Sequence, residues 1–281
     1  MARLTIVRDK VEMSEAAAER ITSVVESAIA TRGLAAVSLT GGDTPDLLYQ
    51  LLADQSRPWR GRIDWRHLHV FWGDEREVPP DHPQSNFGLA YRLLIQHVAI
   101  PETQIHRMRG ELPASDAGRL YNAVLRARRD QTVGPLFDVM LLGIGENAHI
   151  ASIFPDSPLL AGREGPPYTD REAPPYTPEY QSDLDGVGRP FTGRQIELAT
   201  GIHVPDLNQW RITMTPSALL DSDVIVMIAS GTSKAGAIAA AVEGSLDVAR
   251  YPAQLLLTAG ERVEWIIDSA AAARLRGAPR A

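Results

Sequence analysis

The sequence predicts an α/β fold, Rossmann-like and doubly wound, in which a mainly parallel sheet carries helices on both faces. Short, continuously apolar runs alternate with helical segments along the chain, and strands apolar throughout belong to a sheet covered on both sides. Glycine-containing turns follow several of those runs, as strand-to-helix connections require. The 281 residues, 44% hydrophobic and 22% charged, suffice for one core, so the chain reads as a single domain over 1–281. Such sheets bind ligands beyond the carboxyl ends of their strands, which is where chemistry is to be sought.

Residues 14–32 open on a capping serine, carry Ala, Ile and Val at helical spacing, and stop before Gly33. A strand is expected over 35–39, a helix from Thr44 to about Leu52, a strand over 68–72, and a helix from Ser85 to about His97. Phe137 to Leu142 is the most strand-like run of all. Further strands are expected at 209–214, 223–229, 253–258 and 263–267, with helices around 233–243 and near 268–276. The stretch Gly162–Asn208, with Pro166-Pro167-Tyr168 and Pro174-Pro175-Tyr176, lacks periodicity and reads as an irregular excursion.

A net charge of −7 argues against nucleic acid or an anionic membrane as the partner, because a phosphate backbone demands a concentrated basic face. With no cysteine, disulfides, thiolate nucleophiles and cysteine-held metals are excluded. No run approaches the ~18–20 apolar residues of a membrane helix. Residues 1–8 lack the apolar core of a secretion signal, so the cytoplasm is the expected location. Of 28 basic residues only Lys10 and Lys234 are lysine, which draws attention to Lys234, the one in the body of the chain.

Four turns carry candidate chemistry. Gly41-Gly42-Asp43-Thr44-Pro45 lies between a strand and a helix, where free amides favour an anion. Gly73-Asp74-Glu75-Arg76-Glu77 ends the strand at 68–72 and combines acids fit to orient a hydroxyl with a guanidinium fit for phosphate. Ser85-Asn86 then starts a helix, and capping accounts for it. Gly143-Ile144-Gly145-Glu146-Asn147-Ala148-His149 delivers one histidine, the usual general base, from the end of the best strand. Ser230-Gly231-Thr232-Ser233-Lys234 puts a lysine in the first turn of a helix, where a cation opposes the macrodipole unless an anion is to bind there. Arg211 is a lesser candidate. The third glycine of a dinucleotide fingerprint is missing after Gly143-x-Gly145, so no nicotinamide cofactor is expected.

In this order the segments resemble the 6-phosphogluconolactonase family, itself similar to the glucosamine-6-phosphate deaminases. The matching motifs are Gly41-Gly42-x-Thr44-Pro45, Trp72-Gly73-Asp74-Glu75-Arg76-x-Val78-Pro79 with Ser85-Asn86, and Gly143-x-Gly145 through His149 to Ala151-Ser152-x-Phe154-Pro155. Arg211-Ile212-Thr213, Gly231 with Lys234-Ala235, and Tyr251-Pro252-Ala253 complete the series. The resemblance implies hydrolysis of 6-phospho-D-glucono-1,5-lactone in the oxidative pentose phosphate pathway, with a small sugar phosphate as partner and no cofactor. It implies His149 as the base that activates water and Asp74 as the group that orients a hydroxyl or that water. Gly41, Gly42, Asp43, Thr44, Arg76, Asn147, Arg211 and Lys234 are the implied substrate contacts.

Where the deaminases continue after the histidine turn with Phe-Asn-Glu-Pro, this chain has Ser152-Ile153-Phe154-Pro155, and where they carry tyrosine after the Asp-Glu pair it has Arg76. The chain also departs from the lactonase pattern, because Asn147-Ala148 stands where Asp-Gly usually precedes the histidine. Two other readings therefore stay open, an isomerase or deaminase of amino-sugar phosphates and a catalytically silent sugar-phosphate binder.

Overall fold

The computed structural model describes residues 2–160 and 197–276. Their strands are β1 (Arg3–Val7), β2 (Ala35–Leu39), β3 (Leu68–Trp72), β4 (Asp74–Arg76), β5 (Phe137–Gly143), β6 (Ala199–Val204), β7 (Gln209–Met214), β8 (Ser222–Ala229) and β9 (Val263–Asp268). Among the described residues six of these form one parallel sheet in the order β1-β9-β8-β5-β2-β3, and the other three an antiparallel sheet, β4-β7-β6. The mainly parallel α/β fold expected from the sequence is thus the one observed.

Alternation within the central strands builds two cores. Val139 and Leu141 of β5, with Val226 and Ile228 of β8, face the helix Lys10–Arg32 through its Met13, Ala17, Ile21 and Val25. Met140 and Leu142, with Ile225 and Met227, face the other way, toward helices Ala114–Gln131 and Ala235–Glu243 and the antiparallel sheet. A period of two thus sends successive side chains to opposite layers, each closed by helices.

From β2 the chain moves outward to β3, whereas from β5 it moves through β8 to β9 in the opposite direction. The reversal falls between β2 and β5, and the crevice beyond their carboxyl ends is the expected ligand position.

Several local expectations are corrected. The first helix begins at Lys10, capped by Asp9, whose side chain accepts from the amides of Val11 and Glu12; Ser14 lies inside it. The next helix begins at Asp46 with Pro45 at its cap, so Thr44 remains in the turn. Residues 253–258 belong to a 3₁₀ segment, Pro252–Arg262, because Gln254 turns inward to donate to the carbonyls of Ala240 and Ser245. Residues near 268–276 form turns rather than a helix, with Asp268 accepting from the Ala271 amide. The proposed excursion at 162–208 is shorter than expected, since 199–204 is β6 and Pro205–Leu207 a 3₁₀ turn; 161–196 lie outside the described residues.

β1 and the helix Ala114–Gln131 go beyond the sequence expectations. That helix packs on β6 backbone to backbone: a Cβ on Gly118 would lie 2.3 Å from the Gly201 nitrogen, and one on Gly201 would lie 2.4 Å from the Ala114 carbonyl. Gly201→Ala should therefore lower the unfolding free energy by about 1–3 kcal/mol, the cost of overpacking a tight contact. Urea titration checks this, and an unchanged midpoint would show that helix and strand can separate freely.

Candidate active site

Gly73 is the point where the chain leaves the parallel sheet. Its amide donates to Leu39 at the end of β2 (3.1 Å), and its carbonyl accepts from Met214 at the end of β7 (2.8 Å). β4 then pairs antiparallel with β7, setting Asp74 opposite Thr213 and Arg76 opposite Arg211. The three acids after β3 part company here. Glu75 is buried, accepts from the amides of Arg76, Asn86 and Phe87 and from Ser85 Oγ, and so caps the helix Asn86–Leu93. Burial pushes its carboxyl above the usual range, and those amides oppose the rise. Glu77 accepts from the Ala114 amide (2.8 Å) at the start of another helix. Both carboxylate oxygens of Asp74, by contrast, are held by side chains. Its Oδ2 accepts from Ser152 Oγ (2.6 Å) and its Oδ1 from Asn86 Nδ2 (3.0 Å).

Arg76 and Arg211 are like charges on facing positions, and neither has a carboxylate partner among the described residues. Arg76 donates to the Gln84 carbonyl and Arg211 to Gln209 Oε1, both neutral, and the Nε of each is buried without a partner. Burial, then the nearby Arg76, pushes the Arg211 guanidinium below its usual value. Cations left this way, Arg211 buried and Arg76 half-buried, create a local demand for an anion.

His149 follows β5 through a tight turn. Gly145 donates to the His149 carbonyl and accepts from the Ala148 amide, and a Cβ at Gly145 would lie 2.0 Å from His149 Nδ1. Ala148 occupies the left-handed region (φ 64°) that glycine adopts without strain, and its methyl is fully buried. Its carbonyl accepts from Ala253, which gives Tyr251-Pro252-Ala253 a structural role as buttress. The imidazole stacks on Phe154 (centroids 4.0 Å apart). Asn147 Oδ1 faces both the His149 amide (3.3 Å) and Nδ1 (2.6 Å). Because the amide can only donate, this atom is the acceptor, Nδ1 carries the proton, and Nε2 is left with a free lone pair. Burial pushes the imidazole down to about 4; Asp74 opposes the shift, while Lys234, Arg211 and Arg76 add to it. The groups that act on His149 thus come from two of the other turns and from Arg211 of β7.

Lys234 sits in the 3₁₀ turn Thr232–Lys234 before the helix Ala235–Glu243 and bonds no other described side chain. The turn is anchored by buried Asp268, which accepts from Ser230 Oγ (2.5 Å) and the Gly231 amide. In the first turn Gly42 is exposed with φ 82°, and the Asp43 carbonyl accepts from Lys10 Nζ (2.5 Å). Both lysines of the chain therefore stand at these turns, Lys10 without having been expected there. Ser152, buried completely, and Asn86 were passed over as well, since partners 78 and 12 residues away leave no local mark. A separate cleft lined by Gln55, Arg60, Trp65 and Val98 lies among segments outside these turns, and its arginine is engaged by the His97 carbonyl. Among the described residues no group of three acidic or histidine side chains is arranged to hold a metal.

Fold and site together define an α/β protein with a cation-lined crevice around a neutral histidine. The chain belongs to the glucosamine-6-phosphate isomerase/6-phosphogluconolactonase family, whose model matches residues 8–180 and 189–265. It is 31% identical to a 6-phosphogluconolactonase of Synechocystis over 98% of each chain. It is 32% identical to one from Mycobacterium leprae, over 98% of this chain and 99% of that one. A crystal structure of 6-phosphogluconolactonase from Thermotoga maritima matches with a TM-score of 0.68 at 25% identity, over 95% of this chain and 100% of that one.

The hydrogen bond to Asn147 makes a titration prediction. The His149 ring should protonate near pH 4 by NMR, and Asn147→Asp should raise that value, because a carboxylate favours the imidazolium. A wild-type ring titrating at the ordinary 6.5, or one unmoved by the substitution, would contradict the geometry described.

Proposed function

We propose that this chain hydrolyses 6-phospho-D-glucono-1,5-lactone to 6-phospho-D-gluconate, with His149 as general base. The observation that carries the mechanism is an imidazole with Nε2 unprotonated and open, set among Arg76, Arg211 and Lys234. Family membership and near-full-length relatives of this activity support the substrate.

In this reading the phosphate lies on the amides of Gly41–Thr44 and on neighbouring cations, since anions are favoured at backbone donors and unpaired guanidinium groups. Arg76, Arg211 and Lys234 supply the cations, and Asn147 serves the histidine. Nε2 takes a proton from water as the water oxygen bonds to C1. The carbonyl electron pair moves onto its oxygen, and nearby positive charge stabilises the oxyanion. When the intermediate collapses, the bond from C1 to the ring oxygen breaks and the imidazolium returns its proton to that oxygen. The products are an open-chain acid and a hydroxyl at C5. Asp74, held by Ser152 and Asn86, supports the transient imidazolium and orients the water or a hydroxyl.

Phe154 favours this reading over deamination. It stands at the position where the deaminase motif carries glutamate, and its ring covers one face of His149. Among the described residues no helix is long and apolar enough to cross a membrane. We assign the enzyme to the cytoplasm, since a charged sugar phosphate does not cross a bilayer unaided.

The test is an assay with freshly generated lactone. Turnover should exceed spontaneous hydrolysis, His149→Ala should lower kcat by about 10²–10⁴ with KM little changed, and Lys234→Ala should chiefly raise KM. Equal, small effects of both substitutions would sink the site. Binding of 6-phosphogluconate without turnover would establish a silent binder, and ammonia release from glucosamine 6-phosphate would establish the deaminase.

A further inference from the structure

Asn86 lies at the first position of its helix, where Ser85 already supplies the cap by accepting from the Gly88 amide (2.9 Å). Its side chain is therefore not needed for helix initiation, and it points elsewhere. Nδ2 donates to both the Oδ1 (3.0 Å) and the main-chain carbonyl (2.9 Å) of Asp74. Oδ1 is buried and has no hydrogen-bond partner. That oxygen lies against Gly41, so closely that a Cβ there would sit 1.7 Å from it. A buried amide oxygen without a hydrogen-bond partner is uncommon and calls for an explanation.

We propose that Asn86 is a positioning residue for the lactonase reaction: one side chain fixes the Asp74 carboxylate and sets its separation from the Gly41–Gly42 turn. Ser152 Oγ holds the second Asp74 oxygen, so the carboxylate has one orientation rather than several. The Asp74 carboxylate and the Gly41 backbone are thus linked through one side chain, by hydrogen bonds on one side and close packing on the other, and that side chain touches no substrate in this scheme. Gly41 lacks a side chain because the amide of Asn86 occupies that space. This inference rests on the lactonase reading for its kinetic test, but its structural content is independent of it.

Asn86→Asp tests the idea with a nearly unchanged shape. The new carboxylate is compatible with a helix N-terminus but replaces the Nδ2 donor with an acceptor facing Asp74. At about pH 8 kcat should fall by about tenfold or more with KM within about threefold of wild type. Two carboxylates in contact hold one proton as pH falls, and that proton restores the missing donor. The variant should therefore regain activity between about pH 8 and about pH 5.5, where wild type is flat. Wild-type kcat in the variant overturns the proposal. So does a loss that follows a lowered melting temperature and shows no recovery with pH, since that marks a structural role only. Should the wild-type chain fail to exceed spontaneous hydrolysis, the lactonase reading fails separately. The positioning claim is then decided by a crystal structure of Asn86→Ala. A rotated Asp74 carboxylate and a displaced Gly41 turn support it, and both unchanged overturn it.

Discussion

Gly73 joins two sheets by two hydrogen bonds, one to the end of β2 and one from the end of β7, and the geometry of the site depends on that junction. A parallel sheet alone would send the chain from β3 straight into a helix. The turn at Gly73 instead reverses pairing, so that β4 crosses the crevice and lines up on β7. Asp74 is thereby brought within reach of a serine 78 residues further along, and Arg76 is set beside Arg211. The other two acids of this segment, Glu75 in β4 and Glu77 just after it, accept from amides at helix starts.

Electrostatically the site is costly to the folded chain. Two guanidinium groups face one another with neutral acceptors, and each keeps a buried donor unused. Such an arrangement lowers stability in the empty protein and strengthens any interaction with an anion, because the donors need not reorganise when it arrives. The histidine turn adds backbone strain. Ala148 and Ala151 both hold positive φ, at about 1–2 kcal/mol for each residue with a Cβ. Buried packing of the Ala148 methyl and the bond from Ala253 offset this strain and keep the imidazole in place.

An amide rather than a carboxylate at Asn147 has a definite physical meaning. An amide oxygen sets the tautomer of His149 as well as a carboxylate does, through one short hydrogen bond. It contributes no charge to an imidazolium, so among the described residues it is the field of Asp74 that supports that ion, against three cations that oppose it. The division is between orientation, which Asn147 retains, and stabilisation of charge, which shifts to Asp74.

The sequence by itself determined the layer order and the four turns, because both are written in local patterns. Runs as apolar as Phe137–Leu142, interrupted only by Asp138 near its start, fit central strands, and the glycine-rich turns after them lie at one end of the sheet. Ser85 was legible as a cap for the same reason. Tertiary structure decided what depends on partners distant along the chain. The turning of Gln254 made residues 253–258 a 3₁₀ segment despite their apolar run. The polar helix Ala114–Gln131 can pack closely on β6 because Gly118 and Gly201 let two backbones touch. The separate fates of Asp74, Glu75 and Glu77, adjacent acids with one composition, were set by which donors the fold placed beside each. A pattern of residue types encodes what a segment can be, whereas burial and hydrogen bonding across the fold select which of its groups remain free to act.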